Sequence, residues 1–246
     1  MRGRPWRERL AALAGAALLA FGLAACMTPA SDVPRADAAQ GLRYLALGDS
    51  YTIGEGVDPA QRWPHQLAAA LRAQGVPLRD PNTIATTGWT TDELSAAIDA
   101  RAPDGGHDFV SLLIGVNNQY RGRDVGEYAR QFDALLQRAI GFAGGRADRV
   151  LVLSIPDWGV TAFGAGSGRD LAQVARELDA YNAAARALCA RHGVAFVDIT
   201  PTSRARGGEA AMLADDGLHP SGAMYALWTQ QALPVADALL RAPAAR

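Results

Sequence analysis

Short apolar segments recur along the chain at 43–48, 78–83, 109–115, 150–155 and 194–199, the second weaker than the rest. Each has the length of a strand buried on both faces. Between them run longer stretches rich in Ala, Leu and Arg, with apolar residues at helical spacing, at 63–74, 91–101, 124–143, 171–192 and 221–240. Strands alternating with helices predict a parallel sheet covered on both faces, a single doubly wound α/β domain with right-handed crossovers. Ligands of such a sheet sit beyond the carboxyl ends of its strands. The residues that directly follow each apolar segment are therefore the first place to look for chemistry.

The pattern differs at the N-terminus. Four arginines and Glu8 precede or adjoin an apolar run from Leu10 to Ala25, which leads into Cys26 through Leu23-Ala24-Ala25. The run is shorter than the ~20 residues that span a bilayer, and small residues rather than a charged stop precede the cysteine, which is the layout of a cleavable signal peptide. The tetrapeptide resembles the lipobox of bacterial lipoproteins, whose cysteine is acylated and becomes the first mature residue. The expected organisation is a leader at 1–25, a lipid-anchored tether at 26–40 without periodicity, and the α/β domain at 41–246. The resemblance implies an exported protein held by Cys26 at the cell envelope, on the outer membrane or the periplasmic face. Cys189 is then left without a disulfide partner and reads as a buried structural thiol.

Composition narrows the chemistry. With 49% hydrophobic and 20% charged residues, the chain is an ordinary globular one. The formal charge is −1 and the leader carries a net +3, so the rest carries −4 and suits no polyanion; no nucleic-acid partner is expected. All 24 basic residues are arginine. Without lysine there is no phosphate loop ending in Gly-Lys, no Schiff base and no Ser-x-x-Lys nucleophile. His65, His107 and His192 are widely spaced and match no metal-binding array, so neither a metal nor another cofactor is expected. The glycine-rich stretch 164–168 falls one residue short of a dinucleotide fingerprint, does not open directly from a strand, and reads as coil.

Two segments stand out. The first apolar segment runs straight into Gly48-Asp49-Ser50-Tyr51, which places a serine at the functional edge of the sheet. Near the other end, Asp216 and His219 lie three residues apart, with Gly217 between them and Pro220 holding His219 out of the final helix. A carboxylate so close can fix one imidazole tautomer and stabilise the imidazolium while the other ring nitrogen serves a serine. Two further segments offer donors to a developing oxyanion: Gly88, after the weak second strand, and Asn117, in Gly115-Val116-Asn117-Asn118 at the end of the most hydrophobic segment. Trp89, Tyr120 and Trp158, with Phe163, follow strands and are candidates for the wall of an acyl pocket.

Taken in order, Gly48-Asp49-Ser50, Gly88, Gly115-Val116-Asn117 and Asp216 to His219 resemble four sequence blocks of the SGNH, or GDSL-like, serine hydrolases. The resemblance runs from about Tyr44 to Ser221. It implies a flavodoxin-like parallel sheet of about five strands and a metal-free esterase with Ser50, His219 and Asp216 as its triad. The oxyanion hole would come from Ser50, Gly88 and Asn117. The substrate would be a small-molecule, carbohydrate or lipid ester, such as a short-chain acyl ester, an O-acetylated carbohydrate or a lysophospholipid. Two positions depart from the family pattern: Tyr51 stands where leucine is usual, and Asn118 where aspartate is common, which removes a charge that would often hold that loop. The competing reading is a lipid-anchored binding protein that kept the fold and lost catalysis. A nucleophile elbow of the G-x-S-x-G kind does not occur.

Overall fold

The computed structural model describes residues 41–242. The leader, Cys26 and the tether at 26–40 lie outside the described residues. Five parallel strands form one sheet in the order β2-β1-β3-β4-β5. In chain order, β1 (Tyr44–Gly48), α1 (Ser50–Ile53) and α2 (Trp63–Ala73) are followed by β2 (Asn82–Ala85), α3 (Thr91–Arg101) and β3 (Phe109–Leu113). Then come α4 (Val116–Tyr120), α5 (Val125–Phe142), β4 (Val150–Leu153), α6 (Ala162–Gly166), α7 (Leu171–His192), β5 (Ala195–Val197), α8 (Thr200–Arg206) and α9 (Gly222–Arg241).

The central strands β1, β3 and β4 are buried along their whole length, which is why they read as continuous apolar runs rather than alternating ones. The crossover from β1 to β2 runs in the opposite sense to the later ones. Right-handed connections therefore put α2 on one face and α3, α5 and α7 on the other. The packing agrees: α2 lies against α9, and α5 against both α3 and α7. The helix limits follow local chemistry. Asp124 and Asp170 cap α5 and α7 by accepting from the first-turn N–H groups, and Gly193 ends α7 in the left-handed region.

Two sequence expectations change here. The second strand begins later than 78–83: Leu78 makes only a single bridge to Leu42, and the ladder starts at Asn82. Pro81 stands between them and has no N–H to give to a parallel ladder. The glycine-rich stretch expected to be coil is helical at 164–166, the end of α6, and non-helical at 167–168. The Thr161 side chain caps that helix, and a side chain at Gly164 would run into the carbonyls of Trp158 and Gly159 at 2.6 Å. Glycine at 164 thus serves close packing.

The reversal of strand order falls between β1 and β3, and their register aligns Gly48 with Leu113. In an open α/β sheet the crevice beyond this point is where ligands bind. Ser50 lies two residues past that edge and Asn117 four, so the topology alone brings the first and third candidate segments together. No described helix is long and apolar enough to cross a membrane.

Candidate active site

The turn from β1 into α1 is tight. A side chain at Gly48 would strike Thr52 and the Leu113 carbonyl, so only glycine lets β1 end this close to β3. Asp49 follows, fully buried, and caps α1 by accepting the Tyr51 N–H on Oδ1 at 3.0 Å. Its Oδ2 has no partner that meets hydrogen-bond geometry. Burial pushes the Asp49 carboxyl up to about 7, and nearby backbone N–H groups, including those of Tyr51 and Gly115, offset this only in part. Ser50 opens α1, almost wholly buried at 4% exposure.

His219 is held by a closed loop rather than a long lever. Ala214 N–H donates to the His219 carbonyl at 2.7 Å, Leu213 bridges Pro220, and Ser221 N–H donates to the Met212 carbonyl. Inside this loop the Asp216 carboxylate accepts the Leu218 and His219 N–H groups on Oδ1, each at 2.9 Å, and meets His219 Nδ1 with Oδ2 at 2.6 Å. Burial works against the Asp216 charge, but hydrogen bonds from the imidazole and these two N–H groups outweigh it and hold the carboxyl below the usual carboxylate range. An ionised carboxylate can only accept, so Nδ1 carries a hydrogen, and the tautomer of the neutral imidazole that this selects has its lone pair on Nε2. The three-residue spacing works because Gly217 takes a left-handed turn at φ +66°.

Ser50 and His219 line one cavity of about 180 Å³. Asn117 and Val116 close one side, while Tyr51, Tyr120, Trp158, Phe163 and Leu218 supply the apolar remainder. A wider depression of about 430 Å³ along 53–62 includes neither Ser50 nor His219. Asn117 Nδ2 donates one hydrogen to the Trp89 carbonyl at 2.9 Å, which leaves its second hydrogen unused. Gly88, one residue earlier in the β2–α3 loop, is fixed by Arg121, which donates to its carbonyl at 2.7 Å. Gly88 and Trp89 do not line this cavity. Trp89, expected on the pocket wall, packs against the core instead.

The aromatic wall is a packed cluster anchored by the buried Trp158. Tyr120, Trp158 and Phe163 meet at centroid distances of 5.4–6.3 Å, and the Trp158 indole donates to Gln119, itself tied to Glu177. Arg204 bonds the buried Asp157 at 2.8 Å and holds the turn that carries Trp158. Phe163 N–H donates to the Gly217 carbonyl and so joins the wall to the histidine loop. The departure at Asn118 is compensated. Its buried amide accepts the Thr91 N–H at 3.0 Å and donates to the Thr91 hydroxyl at 2.7 Å, so a neutral side chain pins the loop to the start of α3. Val116 and Leu218 were missed as wall residues; their one signal is an apolar side chain beside a candidate polar one. Among the described residues no three metal-binding side chains gather as a site.

A sheet of flavodoxin order with a serine, a histidine–carboxylate pair and an asparagine amide beyond its switch point defines an α/β protein of the hydrolase class. Residues 46–227 match the GDSL-like lipase/acylhydrolase family, and the chain belongs to it. No curated protein matches the sequence. Among solved structures it is similar to TesA, with 21% identity over 80% of this chain and 99% of that one at a TM-score of 0.63. It is also similar to the psychrotrophic esterase EstA from Pseudoalteromonas sp., with 15% identity, 81% and 99% coverage and a TM-score of 0.62. A third is the acetylxylan esterase Axe2 from Geobacillus stearothermophilus, with 19% identity, 84% and 97% coverage and a TM-score of 0.60. At these identities the likeness is one of fold.

Proposed function

We propose that this hydrolase is a serine esterase that cleaves carboxylic esters through an acyl-enzyme on Ser50. The observation that carries the reading is that Ser50 shares its cavity with a histidine whose Nδ1 is locked by Asp216 at 2.6 Å. His219 Nε2 takes the Ser50 proton as Oγ attacks the ester carbonyl, forming the C–O bond of a tetrahedral intermediate. That proton then passes to the departing alcohol. Water attacks the acyl-enzyme, gives its proton to the same nitrogen, and the carboxylic acid leaves as Ser50 is reprotonated. Asp216 keeps the tautomer and stabilises the imidazolium.

Negative charge on the carbonyl oxygen would be met by the Ser50 N–H and the second Asn117 Nδ2 hydrogen; Gly88, the third donor that the sequence suggests, does not line the cavity. The Ser50 donor is a helix-opening N–H with no partner within its helix, and the Asn117 hydrogen remains after the bond to Trp89. The decisive test is Ser50→Ala assayed on p-nitrophenyl butyrate beside fluorophosphonate labelling. Loss of both turnover and labelling, with an unchanged melting temperature, is the expected result, and full activity in the variant overturns the assignment. Cys26 as a lipid anchor is part of the same reading. Cys26→Ala should release the protein from the membrane fraction and abolish radiolabelled palmitate incorporation; membrane retention without the cysteine rejects it.

A further inference from the structure

We propose that Tyr51 sets the length of acyl group this site accepts, because its ring is a partition between the cavity at Ser50 and a void behind the histidine loop. The proposal rests on the esterase reading. Tyr51, Trp158 and Leu218 line both spaces. The void holds only about 20 Å³, enough for a single water, and is walled by Met212, Met224 and Trp228 among others. The cavity on the near side, at about 180 Å³, is about nine times the size of the void and has room for a short acyl chain. With the partition in place, a long chain has no inward path.

The ring is held where it is by its neighbours. Tyr51 is 3% exposed, with its ring edge-on to His219 at 5.8 Å and to Trp228 at 6.1 Å. Trp228 is in turn packed edge-on by Tyr225 at 5.1 Å. Burial, reinforced by nearby Asp49, Asp157 and Asp216, holds the Tyr51 phenol far above its ordinary range, so it stays protonated at neutral pH. The side chain therefore contributes shape rather than proton transfer. Because the acyl group stays on Ser50 through both steps while the alcohol leaves after the first, a wall adjoining Ser50 in the chain acts on the acyl chain.

The test is kcat/KM for p-nitrophenyl esters from acetate to palmitate, measured on the full chain in detergent for the wild type and for Tyr51→Phe, Tyr51→Leu and Tyr51→Ala, with Ser50→Ala as reference. The wild type should be best on two to six carbons and fall at least tenfold by dodecanoate. Leucine is smaller by about four non-hydrogen atoms and should open the partition; each methylene newly accommodated raises relative kcat/KM about fourfold. Tyr51→Leu should thus raise the octanoate-to-butyrate ratio tenfold or more, Tyr51→Ala further, and Tyr51→Phe not at all. A wild type that prefers dodecanoate or longer overturns the proposal even if the smaller variants fail to fold. So does an active Tyr51→Leu with the wild-type ratio, or a Tyr51→Phe profile that shifts. Turnover that survives in Ser50→Ala instead rejects the serine esterase itself, whatever the chain-length profile.

Discussion

Replacing Asp49 by asparagine should make the protein more stable at neutral pH while leaving it nearly unchanged near pH 4. The Asp49 carboxyl is fully buried, its Oδ2 lacks a partner, and burial raises it from 3.8 to about 7. Between those values the unfolded chain has released a proton that the folded chain still holds. The folded state binds more protons, so stability is full below about pH 4, falls as pH rises, and levels off above about 7. Each unit of difference is worth about 1.4 kcal/mol, so the shift of about three units costs at most about 4 kcal/mol by neutral pH. Asparagine keeps an oxygen for the Tyr51 N–H and carries no charge to desolvate. Urea unfolding of both proteins from pH 4 to 8 reads the difference directly, since other groups titrate in both and cancel. The two curves should diverge across pH 4–7 and run parallel above it. A constant gap over the whole range would mean that Asp49 ionises normally in the fold, and the account of its burial would be wrong.

Three further substitutions test separate parts of the site. Asp216→Asn should lower kcat on p-nitrophenyl butyrate by about 10³-fold or more, because an amide can donate to Nδ1 and favour the wrong tautomer; a loss under tenfold would show that the 2.6 Å contact does not set the proton position. Asn117→Ala should cost about 10²–10³ in kcat with little change in KM, the cost of one oxyanion donor, and an effect confined to KM would place Asn117 in ground-state binding instead. Gly115→Ala should lower the melting temperature by several degrees, since φ at 115 is +129° and a Cβ there would sit 2.5 Å from Tyr128 Cε2; an unchanged melt would mean that the loop relaxes freely.

The sequence carried the site's inner residues more clearly than its walls, for a physical reason. Ser50 and Asn117 each follow a strand whose apolar pattern is plain, His219 directly precedes the final helix, and the reversal of strand order forces the loops after β1 and β3 to meet. The contact between Asp216 and His219 needs only their three-residue spacing and a left-handed turn that Gly217 announces. Their positions are local consequences of the chain. Whether each performs the chemistry assigned to it is a matter for the substitutions above, because family membership and a fold shared at 15–21% identity do not test single residues.

The walls are different because an aromatic side chain can turn either way from the same loop. Trp89 and Trp158 both follow strands, yet Trp158 is buried in the core and lines the cavity while Trp89 is half-buried and does not line it. What separates them is distant in sequence: Gln119 and Glu177 hold the Trp158 indole, and Arg204 holds the turn beneath it through Asp157. The same logic moved β2 past Pro81 and put 164–166, the first part of an apparent coil, into a packed helix, since a proline and a glycine take their meaning from the backbone they face. Asn118 is the instructive case. Read as a missing charge it suggests a loosened loop, but Thr91, which lies 27 residues away in the chain, supplies both a donor and an acceptor that a neutral amide satisfies better than a carboxylate would. A departure from a family pattern is therefore a statement about the partner as much as about the residue, and Tyr51, packed between His219 and Trp228, invites the same treatment.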